Sequence, residues 1–199
     1  MFGGTFDPPH YGHLVAAQEA AWRLALARVV FLPARQNPLK VGEPISAADD
    51  RLRMVERALA DDPRFVVSRL DLDRPPPSYT VDLLRLLQTD EQVGPEADLF
   101  FLAGADLLPE LPAWHRPAEV LQRATLVAVV RPGWPTPDVE AVIRAFPTAR
   151  GRIVALPIPG VDISSTEIRR RVRAGQPIRY LTPVAVEAYI RARGLYGAG

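Results

Sequence analysis

Short apolar runs rich in β-branched and aromatic residues alternate along this chain with segments of helical length, and that alternation restricts the fold more than any other property. The runs occupy residues 28–33, 65–68, 98–103, 125–130 and 153–156. Each has strand length and is bounded by turn residues. Helical stretches fall at 13–27, 47–60, 79–88, 117–123 and 137–146, with Ser46 and Ser78 placed to cap the second and third. A further helix opens at Ser164 or Ser165, and a last one runs to Arg193, where Gly194 is a natural C-cap. Strands alternating with helices imply a parallel sheet wound by right-handed crossovers. The expected fold class is therefore α/β, a doubly wound parallel sheet with helices on both faces. No internal repeat, low-complexity tract or linker divides the chain, so residues 1–199 are expected to form a single domain. With 199 residues, 48% of them hydrophobic, the chain is long enough to bury a sizeable core.

The stretch Gly3-Gly4-Thr5-Phe6-Asp7-Pro8-Pro9-His10-Tyr11-Gly12-His13-Leu14 carries the densest chemistry. Its glycines tolerate positive φ and let a ligand approach the backbone, and its prolines fix an extended loop. His10 and His13 lie at or just before a helix N-terminus, where unpaired N–H groups and a partial positive charge favour an anion. Spaced three apart, they project from nearly the same face. The residues fit a phosphate-handling turn with two imidazole donors. An ordinary strand-to-helix turn and a histidine metal site are the alternatives, the second weakened because Cys is absent and His115 is the remaining histidine. Only Met1 and Phe2 precede Gly3, so either the first strand is very short or the start has been set too late.

Composition removes several function classes. A formal net charge of +1 gives no electrostatic case for nucleic acid as the main partner. Without Cys there is no disulfide framework. No apolar run approaches membrane-span length, and no signal peptide pattern is present. A cytoplasmic protein with no membrane partner is the default, and self-association into a homo-oligomer is left open. Of 24 Lys plus Arg, one is a lysine, Lys40, in a long loop from 34 to 45. A loop of that length beside a phosphate-handling turn is more often functional than idle.

Two later stretches add sites. The strand at 98–103 ends in Gly104-Ala105-Asp106, and parallel sheets bind ligands at the carboxyl ends of their strands. Asp106 thus stands where a ribose or metal contact would be, or else caps a helix. Ile163-Ser164-Ser165-Thr166-Glu167-Ile168-Arg169 reads either as a well-capped helix start, with Glu167 suiting a capping box, or as a second anion site with Arg169 reaching back.

Together, Gly-Gly-Thr-Phe-Asp-Pro-Pro-His-x-Gly-His-Leu and Ile-Ser-Ser-Thr-x-Ile-Arg resemble the nucleotidyltransferases that share His-x-Gly-His with class I aminoacyl-tRNA synthetases, bacterial nicotinate-nucleotide adenylyltransferases in particular. Pro77-Ser78-Tyr79-Thr80, Gly104-Ala105-Asp106, Pro112-x-Trp114 and Arg131-Pro132-Gly133 are similar to that family's segments, in its order, so the resemblance spans nearly the whole chain. It implies a Rossmann-like fold and adenylyl transfer from ATP to nicotinate mononucleotide, giving nicotinate adenine dinucleotide and pyrophosphate in NAD biosynthesis. It implies Mg²⁺ carried on the ATP phosphates, with no metal ligands of the protein's own. ATP would be bound by Gly3, Gly4, Thr5, Phe6, His10, Gly12, His13, Gly104, Asp106, Ile163, Ser164, Ser165, Thr166 and Arg169. The mononucleotide would meet Lys40, Thr80, Leu83, Trp114, His115 and Arg131, with Trp114 stacked on the nicotinate ring or packed in the core instead. His10, His13, Lys40 and Arg169 would be catalytic.

The chain departs from the family pattern at Leu39, where His is usual before Lys40, at Leu83, where some relatives have Thr, and at His115, where Tyr is common. Leu83 and His115 lie near the expected nicotinate carboxylate, so the choice between acid and amide mononucleotide stays open. The alternatives are nicotinamide mononucleotide, pantetheine-phosphate or glycerol-phosphate transfer on the same fold, and a catalytically idle nucleotide-binding regulator.

Overall fold

The computed structural model describes residues 1–36, 45–90, 93–94 and 96–197. Its six strands are β1 (Phe2–Gly4), β2 (Val29–Pro33), β3 (Phe65–Val67), β4 (Phe100–Gly104), β5 (Thr125–Val130) and β6 (Ile153–Pro157). Its seven α-helices are α1 (Tyr11–Arg23), α2 (Ala48–Leu59), α3 (Thr80–Thr89), α4 (Pro117–Arg123), α5 (Val139–Ala145), α6 (Ser165–Arg173) and α7 (Val184–Ala192). The strands form one parallel sheet in the order β3-β2-β1-β4-β5-β6, the doubly wound Rossmann order. The chain winds outward from β1 to β3, then returns to the centre as β4 and winds the other way. β1 and β4 are therefore adjacent, with Phe2 beside Leu102, and the sheet's switch point lies between their carboxyl ends.

Period-2 alternation divides the central strands between two cores. Val29 and Phe31 of β2, Leu102 of β4 and Val127 and Val129 of β5 face α1 and α2, packing with Ala17, Ala20, Val55 and Leu59. Leu32, Phe101, Ala103, Leu126 and Ala128 face the opposite way, against Val81, Leu84 and Leu87 of α3, Val120 and Leu121 of α4 and Val142 of α5. Both faces are covered, which is why these strands read as continuous apolar runs. A third cluster, Met54, Ile168, Ile178, Val186 and Ile190, ties α6 and α7 to α2. Among the described residues no helix is long and apolar enough to cross a membrane.

Three local expectations change. α1 begins at Tyr11 with His10 as its N-cap, two residues earlier than the apolar pattern suggested. Ser46 does not cap α2, whose N-cap is Ala47. The main chain of Ser46 is engaged instead: its N–H donates to Asp7 Oδ2 at 2.9 Å and its carbonyl accepts from Arg51 Nε at 3.1 Å. Ser78 does not cap α3 either. Its Oγ accepts from the Gln36 N–H at 3.2 Å, and its own N–H donates to the Gln36 carbonyl at 3.2 Å.

Candidate active site

β1 ends in Gly3-Gly4, and the chain turns through Thr5–Pro9 into α1. Positive φ falls on Phe6 (φ 50) and on neither Gly3 nor Gly4, which corrects the expected reason for the glycines. Gly4 is small because a Cβ there would stand 3.0–3.2 Å from the Phe6 ring, whereas a Cβ on Gly3 would meet only Phe101, at 3.6 Å. Gly12 answers to a different constraint. A Cβ on it would lie 3.0 Å from both Cε1 and Nδ1 of His10, so the glycine of His-x-Gly-His leaves room for the first histidine.

The imidazoles of His10 and His13 stack with centroids 3.7 Å apart and planes at 28°. The His10 main-chain N–H donates to His13 Nδ1 at 3.2 Å, which makes that nitrogen an acceptor and leaves the ring proton of the neutral His13 imidazole on Nε2. His13 also packs edge-on against Phe2 and Phe6. Burial, with the Arg131 charge, lowers the His10 pKa to about 3. Burial, then the His10 and Arg131 charges, pushes the His13 pKa well below the ordinary histidine value. Both rings are therefore neutral hydrogen-bonding groups at physiological pH.

The turn ahead of them is held by residues far along the chain. With prolines at 8 and 9 it cannot join a ladder, so its buried carbonyls need other donors. Arg169 Nη1 donates to the Asp7 carbonyl at 2.8 Å, Ser165 Oγ to that of Pro8 at 2.8 Å, and Thr182 Oγ1 to that of Pro9 at 2.7 Å. The Asp7 carboxylate accepts from the Ser46 N–H and the Tyr196 hydroxyl. Ser164 is the α6 cap, its Oγ accepting from the Glu167 N–H at 3.1 Å. The expected capping box is half made, because the Glu167 carboxylate turns to Arg170 and Arg171. Arg169 also reaches Thr166 Oγ1 at 3.3 Å.

These groups surround one cleft of about 360 Å³ outside the carboxyl ends of β1 and β4. Gly3, Gly4, Thr5, Phe6, His10, Gly12, His13, Gly104, Asp106, Arg131, Ile163, Ser164, Ser165, Thr166 and Arg169 all line it. Gly104 makes way for the side chain beyond it, since a Cβ there would lie 2.2 Å from Asp106 Oδ1. A second cavity, of about 170 Å³, opens on the other side of Gly3-Gly4 and is lined in part by Thr80, Leu83, Trp114 and His115. The His115 ring stacks on Tyr79, centroids 4.3 Å apart, and Trp114 packs edge-on against Phe101 while facing the cavity. Trp114 thus serves the core and the cavity together. Among the described residues, the buried side-chain polar atoms without a hydrogen-bond partner are His10 Nδ1 and Trp114 Nε1, one at each cavity. Lys40 lies outside the described residues. Thr182, Tyr196 and Arg51 were not among the expected site residues; nothing in the residues flanking each of them marks a long-range contact.

A Rossmann-ordered sheet with a histidine-lined cleft at its switch point defines an α/β protein of the nucleotide-handling class. Comparison with known proteins narrows the class. The family described as cytidylyltransferase-like matches residues 1–171. A protein of Thermomicrobium roseum carrying the name probable nicotinate-nucleotide adenylyltransferase is 44% identical, covering 98% of this chain and 90% of its own. One of the same name from Thermus thermophilus is 46% identical, with 98% and 97% covered. The nicotinic acid mononucleotide adenylyltransferase of Plasmodium falciparum, solved in complex with NaAD, shares the fold with a TM-score of 0.76 at 19% identity, covering 98% of this chain and 95% of its own. The chain belongs to the nicotinate-nucleotide adenylyltransferase family.

Proposed function

We propose that this protein transfers the adenylyl group of ATP to nicotinate mononucleotide, giving nicotinate adenine dinucleotide and pyrophosphate. The observation that carries the reading is the meeting of two cavities over Gly3-Gly4, one bearing the stacked histidines and α6, the other bearing Trp114. The acceptor's ring enters the Trp114 cavity and its phosphate reaches across the glycines into the histidine cleft. There the 5′-phosphate oxygen attacks the α-phosphorus of ATP in line. The new O–P bond forms as the bond to the β-phosphate oxygen breaks, and pyrophosphate leaves with the electron pair. The attacking phosphate is already anionic, so positioning and charge stabilisation supply most of the catalysis. His13 donates from Nε2 to a phosphate oxygen as charge builds, and His10, stacked on it, lines the same cleft. Ser164, Thr166 and Arg169 flank the pyrophosphate end at the α6 N-terminus. Ser165 and Arg169 also hold the turn, and Lys40 is proposed as a further phosphate contact.

The reading implies Mg²⁺ brought in on the ATP phosphates. The cleft suits an ion carried in that way, because Asp106 presents a carboxylate that would hold the ion's waters without ligating it directly, whereas the Asp7 oxygens are taken by Ser46 and Tyr196. Bound there, Mg²⁺ would neutralise charge on the phosphates. The same reading puts the enzyme in the cytoplasm with its two small-molecule substrates. The test is pyrophosphate release from ATP with nicotinate mononucleotide, nicotinamide mononucleotide and phosphopantetheine in parallel. Turnover is expected to favour the nicotinate form. Equal or better use of the amide would show that Leu83 and His115 have altered the choice, and use of phosphopantetheine alone would sink the reading.

A further inference from the structure

Arg51 sits in α2 among Leu52, Met54 and Val55, and only 1% of it is exposed. Among the described residues no carboxylate lies within ion-pair distance of it. Its hydrogen bonds among the described residues all go to main-chain carbonyls. Nε donates to Ser46 O at 3.1 Å, and Nη1 donates to Thr5 O at 3.0 Å and Ala34 O at 2.7 Å. Burying a guanidinium without a bonded carboxylate is costly, and an apolar side chain of similar volume would fill the space without that cost. The Asp7 and Asp71 charges offset part of that cost through space, and the planar fork of donors is what an apolar residue could not supply.

The three acceptors lie where geometry matters. Thr5 is the first residue after β1 and Ala34 the first after β2. The parallel ladder between those strands ends with Gly4 beside Pro33 and the Ala34 N–H bonded to Gly4 O at 2.8 Å. One step further the chain leaves the sheet, and a single Nη1 takes over by bonding both departing carbonyls. The third acceptor, Ser46, is the residue whose N–H binds the Asp7 carboxylate. Arg51 therefore holds the strand side of the Thr5–Pro9 turn while Arg169, Ser165 and Thr182 hold its helix side. It does not itself line the cleft.

We propose that Arg51 is a positioning residue for phosphoryl transfer: by joining Thr5, Ala34 and Ser46 it sets the path of the turn that carries the backbone and His10 to the reacting phosphates. This rests on the adenylyl transfer proposed above.

The experiment compares Arg51→Lys and Arg51→Met with Leu59→Ala, which removes a buried side chain from the last position of the same helix and leaves the hydrogen bonds to Thr5, Ala34 and Ser46 in place. Steady-state kinetics for ATP and nicotinate mononucleotide are measured beside thermal melts, well below each Tm. A lysine keeps the charge but cannot reproduce the fork, and a methionine keeps only the bulk. We expect Arg51→Lys to lower kcat by at least ~10-fold and Arg51→Met by ~100-fold or more, both KM values staying within about 3-fold, the pattern of an interaction realised in the transition state. Leu59→Ala should lose Tm with kcat retained. Wild-type kcat in the folded Arg51 variants would overturn the proposal. So would a kcat loss in Leu59→Ala proportionate to its Tm loss, or absence of a cooperative melt in both Arg51 variants, which would make the residue part of general stability. A wild-type protein that transfers no adenylyl group would instead overturn the functional reading.

Discussion

The hydroxyl of Ser165 donates to the carbonyl of Pro8 at 2.8 Å, joining the N-terminus of α6 to the turn before α1 across 157 residues. The second motif thus braces the first as well as lining the cleft with it. Removing the donor leaves the buried Pro8 carbonyl without a partner, a cost of about 1–3 kcal/mol. Ser165→Ala should lower stability by that amount in denaturant titration and should lower kcat as the turn loosens. Unchanged stability would show that water replaces the hydroxyl.

The histidine pair predicts a pH dependence of stability. The His10 pKa is lowered to about 3 in the folded protein, against about 6.5 when unfolded, so between those values the unfolded chain binds more protons. Stability should fall as pH drops from about 6.5 towards 3. His10→Asn should flatten that dependence by up to ~1.4 kcal/mol per pH unit. Denaturation midpoints of both proteins across this range check it; parallel curves would count against a neutral His10.

His13→Ala should lower kcat by ~10²–10³, the usual loss when one preorganised donor to developing charge is removed. The melt should survive, since the His13 ring packs at the cleft edge of the core. A folded variant with wild-type kcat would return the residue to a structural part.

Trp114 should act on one substrate alone. Stacking of a base-like ring on an aromatic contributes ~1–3 kcal/mol. Trp114→Ala should therefore raise KM for nicotinate mononucleotide by ~10-fold or more and leave KM for ATP nearly unchanged. Equal changes in both would mean that the substitution disturbs β4 through Phe101 rather than the ring's own site.

Lys40 is the chain's one lysine, and an ammonium can follow a moving phosphate more readily than a planar guanidinium. Lys40→Ala should lower kcat/KM at least ~10-fold, about 1.4 kcal/mol of transition-state stabilisation, with Lys40→Arg keeping part of the activity. Kinetics of both variants beside a melt decide it. An alanine variant with unchanged kcat/KM would mean a solvated loop residue.

Local sequence determined the elements that depend on local physics. Thr125–Val130 and Pro117–Arg123 have the bounds that a β-branched run and a helix-opening proline specify. Ser164 caps α6 because its hydroxyl needs only the N–H three residues on. The two motifs at 3–14 and 163–169 were legible for the same reason, being contiguous strings. Tertiary structure decided whatever depended on a distant partner. Ser46 and Ser78 are caps by spacing alone, yet the fold brings Asp7 and Arg51 to the main chain of the one and Gln36 to the hydroxyl of the other, and the helices open a residue later than those serines would set them. Arg51 reads as one more charge on a helix rich in them, and only the junction of β1 and β2 gives it three carbonyls to hold. A proline turn cannot bond to itself, so the residues that keep it in place had to come from elsewhere in the chain, and no local pattern could name them.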